Sequence, residues 1–415
     1  MGTPADAAAN MGWFPAMVGS AYRRDAADGD ALFPGDAFEN MLSKFRRAAD
    51  LVGSARAPES PVDRAAGYRH LLVLLALAVD EALRPSNPYD PFFAPANVDS
   101  ILKWGMDCPD AAYTGAALRG DATYRVRGQR GTVRYLGFQV MSGIESSVNV
   151  VADDLDIAAD GSFEIMLSTK EHPGNWMALS NRTSSLVVRQ FFYDWDAEEP
   201  ARLDIECLEP GPSWPDPEPL SPAGVARQLV AIGEFLEASI AFWLDVEEGG
   251  RSQGINVFRQ PAALTAMGAA AENVSVWGSW QLDENQALVI EVAPPEALYW
   301  SVSLGNHWWE TIDYANRQSS LNGHQAMIDD DGVFRAVVAH TDPGVANWLD
   351  TAGHRQGPMI FRWVRAQGAP VPTTRLVTVD ELTGTFLAGT ARVDKAQRRA
   401  TIARRRTAVR RRFPR

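Results

Sequence analysis

Three residues, His340, Asp350 and His354, have the types and spacing for general acid–base chemistry. That chemistry needs a group titrating near neutral pH with a carboxylate in reach, which histidine and aspartate together supply. Four of the six histidines (His307, His324, His340 and His354) fall within 48 residues, and clustered titratable groups point to sites. The competing role for these histidines is to cap turns and bond to backbone carbonyls. A zinc or iron centre on His340, Asp342 and His354 is a weaker alternative, because no tight HExxH-type pair is present, and no metal is expected. Asn306-His307-Trp308-Trp309 follows an alternating strand directly, which suggests a loop at a pocket mouth. Trp308, Arg317, Asn322 and Arg362 are the expected ligand contacts.

The reason to single out this region is that the chain repeats itself. Asp160-Gly161-Ser162-Phe163 leads to His172-Pro173-Gly174-Asn175-Trp176 and then to Leu186-Val187-Val188-Arg189. Asp331-Gly332-Val333-Phe334 leads to Asp342-Pro343-Gly344, Asn347-Trp348 and Met359-Ile360-Phe361-Arg362, at an offset of 170 to 173 residues. Agreement in order, spacing and residue type argues for two copies of one β-rich unit. Pro-Gly makes the turn, Asn bonds to nearby backbone and Trp fills core space. Trp176 and Trp348 should then occupy matching places, as should Arg189 and Arg362. Each of these arginines lies in an apolar strand, so it has a partner carboxylate or carbonyl, or else faces a cleft. At the matched offsets His340 stands against Thr169, Asp350 against Ala178 and His354 against Arg182, so only the second copy carries the candidate groups.

The elements that must hold these residues are legible. Phe38, Leu42, Phe45 and Ala49, then Tyr68, Leu71, Leu72, Leu75, Val79 and Leu83, recur at helical spacing, with Ser60-Pro61 opening the second run. Strands are expected at Thr123–Arg127, Val133–Val140 and Leu186–Trp195. Glu209 to Pro222 holds six prolines and reads as a stiff linker. Ser221-Pro222 opens a long helix with Val225, Leu229, Ile232, Leu236, Ile240 and Trp243 on one face, and Gly249-Gly250 is expected to end it. Leu298 to Leu304 alternates apolar residues with Tyr and Ser, as a half-buried strand does. The fold class is mainly β with flanking helices (α+β): two duplicated antiparallel β-sandwich or jelly-roll-like units joined by a Pro-rich linker and a long helix. The divisions are 1–100, a helical region; 101–208, the first β unit; 209–250, linker and helix; 251–370, the second β unit; and 371–415, a segment with an Arg-rich tail.

The formal net charge is −13, yet ten basic residues and no acidic ones lie between Lys395 and Arg415, so the chain before them carries −23. An acidic body lacks the clustered cations that neutralise phosphates, so no nucleic-acid partner is expected. The tail reads as a solvated helix or disordered end, with too few large apolar side chains to offset ordering entropy. Two cysteines, Cys108 and Cys207, are too few for a disulfide framework. No basic and apolar leader opens the chain, and the longest apolar run, Leu71 to Val79, is far short of a membrane span, so the expectation is a cytosolic protein without a membrane partner. Without a Gly-rich phosphate loop between strand and helix, or a GxSxG elbow, no cofactor is expected.

Tyr299-Trp300-Ser301-Val302, Asp313-Tyr314, Ser320-Leu321-Asn322, Ala339-His340-Thr341-Asp342-Pro343-Gly344 and Asn347-Trp348-Leu349-Asp350-Thr351-Ala352-Gly353-His354 resemble the DUF1214 domain family. Lys103-Trp104-Gly105, Asp107-Cys108-Pro109-Asp110, Tyr113 and Tyr124-Arg125-Val126 resemble its entry segment, with Cys108 in place of an expected Asn. The resemblance covers most of residues 100 to 365. It implies a β-rich double-unit fold and a bacterial, often actinobacterial, origin, and it implies no established reaction. The residues themselves point to a cytosolic enzyme of hydrolase or lyase type that uses His/Asp acid–base chemistry on an apolar or aromatic small molecule. The alternative is a non-catalytic β-sandwich protein that binds a small molecule or carbohydrate.

Overall fold

The computed structural model describes residues 33–84, 87–95, 98–143, 145–208, 219–263, 269–382 and 389–413. Two helices open it, α1 (Pro34–Gly53) and α2 (Pro61–Leu83). Ser60 caps α2 by accepting from the Asp63 amide, as its Ser-Pro start predicts.

The first β unit contains β1 (Ala94–Pro95), β2 (Ala111–Ala117), β3 (Tyr124–Gln129), β4 (Tyr135–Ser142), β5 (Glu145–Val151), β6 (Ser162–Ser168), β7 (Trp176–Ala178), β8 (Ser185–Phe191) and β9 (Arg202–Cys207). Most of the proline-rich stretch expected as a linker, 209–218, lies outside the described residues. Helix α3 (Pro222–Arg251) follows, capped by the Ser221 hydroxyl. It runs through Gly249 and Gly250 instead of stopping there. Gly250 is a contact position, since a Cβ there would lie 2.6 Å from Arg259 Nη2 and 3.1 Å from Ser279 Oγ.

The second unit contains β10 (Val257–Phe258), β11 (Ala262–Ala263), β12 (Asn273–Gln281), β13 (Gln286–Val292), β14 (Ala297–Leu304), β15 (Ser320–Asn322), β16 (Phe334–Ala339), β17 (Trp348–Asp350), β18 (Gln356–Ala366) and β19 (Thr373–Thr378). Helices α4 (Val379–Leu382) and α5 (Lys395–Arg412) close the chain. Strand β19 pairs with β13, so the second unit extends past the boundary expected at residue 370.

The two units share one plan. Order β2-β8-β4-β5 in one sheet is matched by β12-β18-β14-β15, and β7-β6-β3-β9 by β17-β16-β13-β19. A parallel strand pairing recurs, Met166 opposite Trp176 and Val337 opposite Trp348. Both indoles donate to the matching residue, Trp176 to Ser168 Oγ at 3.2 Å and Trp348 to Ala339 O at 3.0 Å. Both Asp-Gly and both Pro-Gly turns place their glycine at positive φ (Gly161, Gly332, Gly174, Gly344), where a Cβ would be strained.

Each unit encloses its own apolar core, and a third core joins α1, α2 and α3 to Trp308. Strand β14 departs from the half-buried expectation. Its polar face, Tyr299, Ser301 and Ser303, is as buried as its apolar face. Tyr299 packs with Tyr135 and Phe191 of the first unit, so another layer covers what alternation alone assigns to water.

The Arg-rich tail is also not a solvated end. Asp394 and Gln397 form a capping box that starts α5. Arg398, Arg405 and Arg412, seven residues apart, then share one face and enter the body. Arg398 binds Asp342 and Gln318, Arg405 binds Tyr314 O and Ser320 Oγ, and Arg412 binds Pro109 O beneath the Phe192 and Trp195 rings. Guanidinium bonds to acceptors on the body do here what apolar side chains do elsewhere. No helix among the described residues is long and apolar enough to cross a membrane.

Candidate functional site

Parallel pairing of β16 with β17 sets Ala339 opposite Asp350, so the next residues of both strands, His340 and Thr351, also meet. His340 Nδ1 lies 2.7 Å from Thr351 Oγ1, and Nε2 lies 3.3 Å from Leu282 O. Asp350 is buried; it accepts from the Ala352 amide at 2.8 Å and pairs with Arg317 at 3.3 Å. These bonds shape the loop, in which Ala352 and Gly353 both take positive φ. Asp342, the third member of the metal alternative, is held by Arg398 and the Gly344 amide. No group of three or more His, Cys, Asp or Glu among the described residues is arranged to hold a metal ion.

The loop delivers His354 to a different carboxylate. His354 Nδ1 lies 2.7 Å from Asp63 Oδ1, while Asp63 Oδ2 accepts from the Arg355 amide at 3.1 Å. Asp63 sits in the first turn of α2 and is fully buried, whereas the His354 side chain is 14% exposed. The contact of Nδ1 with the carboxylate fixes the orientation of the ring and leaves Nε2 outside that bond. Asp63 O accepts from Trp308 Nε1 at 2.7 Å, so Trp308 lies in the helical core and not on an open cleft. Beside it, Gln356 Nε2 donates to His307 Nδ1 at 3.0 Å. Burial, with a contribution from Arg251, pushes His307 down to about 4, so it is neutral over the ordinary pH range.

Asn322 and Arg362, the other expected ligand contacts, tie the units together. Asn322 donates to Asp110 at 2.7 Å and to Tyr193 O at 3.0 Å; Asp110 also accepts from Tyr299 and Trp195, both at 2.6 Å. Arg362 is buried and donates to Ser303 Oγ at 2.9 Å and to Met106 O. It has the carbonyl partner its place in an apolar strand demands.

A second group of titratable residues gathers around Asn306–Thr311, all of it buried. Glu310 accepts from Asn306 at 2.9 Å, and its carboxylate lies 3.0 Å from His70 Nδ1, although not in line for a hydrogen bond. Burial alone would raise Glu310, but His70 and Asn306 together hold it below the usual carboxylate value. Lys103 donates to Thr311 O at 2.8 Å and Asp107 accepts from Thr311 Oγ1 at 2.7 Å. Burial lowers Lys103 and raises Asp107, and each partly offsets the shift of the other.

Trp309 is buried as well. It takes φ +60 and accepts from the amide of Met106, itself at φ +55, an uncommon backbone region for such side chains. Its ring stacks on Trp243 and meets Trp277 edge-on, and its Nε1 donates to Glu247 Oε2 at 3.1 Å. Burial pushes Glu247 up to about 7, against the pull of Arg251, Trp309 and Arg259. Arg259 lies over the Trp277 ring at 3.5 Å. Glu247 Oε1 and Ser279 Oγ have no hydrogen-bond partner among the described residues. Sequence reasoning passed over Glu247, although it lies four residues beyond Trp243 and so continues the apolar stripe of α3. Asp63 carried no comparable signal; an acidic residue in the first turn of a helix is ordinary.

One solved structure shares this architecture. The model of the family described as "Protein of unknown function (DUF1214)" matches residues 279–367. The crystal structure of an uncharacterized protein from Burkholderia cenocepacia aligns with a TM-score of 0.77 at 34% identity, covering 84% of this chain and 98% of that one. The VPA0106 protein from Vibrio parahaemolyticus aligns over 75% of this chain and 99% of its own at 13% identity, with a TM-score of 0.43. No curated protein matches by sequence. The chain belongs to the DUF1214 family of proteins of unknown function.

Proposed function

We propose that this protein is a cytosolic bacterial enzyme that applies acid–base chemistry, of hydrolase or lyase type, to a small molecule with apolar or aromatic parts. One observation carries the reading: the partly exposed His354 is oriented by the buried Asp63 at 2.7 Å. A base held by a carboxylate behind it is the arrangement by which His accepts and returns a proton at a fixed place. In this reading His354 Nε2 is the proton-transfer atom and Asp63 the positioning group. His340 and Asp350 shape the loop that presents His354, and Arg317, exposed beside Asp350, is the cation available to an acidic part of the substrate. The repeated strand order supports an origin by internal duplication, with His354 contributed by the second copy and Asp63 by α2.

The test is untargeted turnover analysis of a metabolite extract with the purified protein, then with His354→Gln and Asp63→Asn. Turnover falling about a hundredfold or more in His354→Gln, with unchanged circular dichroism, is the expected result. Undiminished turnover in that variant would remove His354 from the chemistry. The second reading is non-catalytic binding of a small molecule or carbohydrate. It is favoured by the bonds that commit His340, Asp350 and Trp308 to the fold, and it predicts retention of a ligand that the wild-type protein never converts.

A further inference from the structure

Helix α2 is apolar on two opposite faces. Leu71, Val73, Leu74, Leu77 and Ala78 are buried in the helical core. Val62, Ala65, Tyr68, Leu72 and Ala76 follow one another at intervals of three or four along the other side, and Leu83 lies two turns further on, past Val79, which is half-buried against the helical core. Val62 is 47%, Tyr68 49%, Leu72 62% and Leu83 63% exposed. A helix apolar all round is normally covered on both sides, and a continuous apolar stripe on a surface marks a contact.

We infer that this stripe is a self-association surface on which α2 of a second copy packs antiparallel across a two-fold axis. Positions along this side pair about position 74: Leu72 with Ala76, Ala65 with Leu83, Tyr68 with Asp80, and Arg69 with Val79. A two-fold axis there sets each Leu72 against Ala76 of the second copy, and the small alanines let the helices approach closely. The exposed charges beside the stripe obey the same symmetry. Arg69 stands in the first half of the helix, 3.8 Å from Glu310 and more than half exposed; Asp80 stands in the second half, held by Arg84 and also about half exposed. Antiparallel pairing brings Arg69 beside Asp80 of the second copy twice, whereas parallel pairing sets like against like. That charge pattern selects a second copy over an apolar surface such as lipid, which would leave both charges against hydrocarbon.

Sedimentation equilibrium of the full chain tests this, with the expected species at twice the 45.3 kDa chain mass. Leu72→Glu should raise the dimer dissociation constant at least tenfold, with far-UV circular dichroism unchanged because the residue is exposed. Arg69→Glu and Asp80→Arg should each weaken the dimer, and the double swap should restore it, which only antiparallel pairing explains. A wild-type chain that is monomeric at tens of micromolar would overturn the proposal, including one that co-sediments with phosphatidylcholine vesicles. A dimer indifferent to Leu72→Glu, or singles not rescued by the double swap, would place the interface elsewhere.

Discussion

Asn175 and Asn347 make the same three hydrogen bonds in the two units. Asn175 Nδ2 donates to Glu164 O and Asp156 O, both at 2.9 Å, and Oδ1 accepts from the Asp156 amide at 2.8 Å. Asn347 Nδ2 donates to Arg335 O at 2.9 Å and Met327 O at 2.6 Å, and Oδ1 accepts from the Met327 amide at 2.9 Å. One side chain thus fastens the strand after the Pro-Gly turn to the strand and loop before it.

The two asparagines differ in burial, and that sets the first prediction. Asn347 is buried and Asn175 half-buried. Asn347→Ala strands three backbone groups away from water and should cost roughly 2–3 kcal/mol, against about 1 kcal/mol for Asn175→Ala. Chemical denaturation of both variants decides it; a larger loss at Asn175 would contradict the argument.

Glu247 should give stability a slope with pH. Its folded-state value of about 7 lies above the ordinary 4.5, so the folded protein binds the extra proton between those values. Its contribution is therefore fully present below about pH 4.5 and lost as pH rises through about 7, by roughly 3 kcal/mol at most. His307, depressed to about 4, acts in the opposite sense: its contribution is present above the ordinary 6.5 and lost as pH falls toward 4. Comparing wild type with Glu247→Gln cancels the histidine. The stability difference between the two proteins should change steadily from pH 5 to 8, and a constant difference would show that Glu247 does not titrate there.

Helix α5 should be part of the folded body. Arg405→Ala leaves Tyr314 O and Ser320 Oγ without their charged donor and should cost roughly 2–3 kcal/mol. Removing residues 395–415 should lower the first thermal transition by several degrees. A melt indifferent to both changes would return the tail to the solvated end that its composition suggests.

Gly67 of α2 tests the seam beside the His354–Asp63 pair. Helix propensity alone makes Gly67→Ala stabilising by about 1 kcal/mol. A Cβ there would lie 2.4 Å from the Trp308 ring and 2.8 Å from Val52 Cγ1, and overpacking costs about 1–3 kcal/mol. The clash should win, giving a net loss in thermal stability and weaker docking of α2 on the second unit. A stabilised variant would show that Trp308 has room to move.

What the sequence determined by itself is what contiguous residues encode. Ser60-Pro61 and Ser221-Pro222 start helices because the cap and the fixed φ act within one turn. The Asp-Gly, Pro-Gly and Asn-Trp signatures announced the repeat because turn and strand chemistry is local and was written twice. The tertiary structure decided which polar groups are buried and by whom. Asp63 meets His354 across 291 residues, a pairing no spacing rule contains. Tyr299, Ser301 and Ser303 alternate as a solvent face does, yet all three are buried, Tyr299 against Tyr135 and Phe191 of the first unit. Arg398, Arg405 and Arg412 read as solvated charge until the carbonyls awaiting them are assembled from distant loops. Desolvation and hydrogen-bond satisfaction belong to the layer that closes over a residue, and that layer comes from elsewhere in the chain.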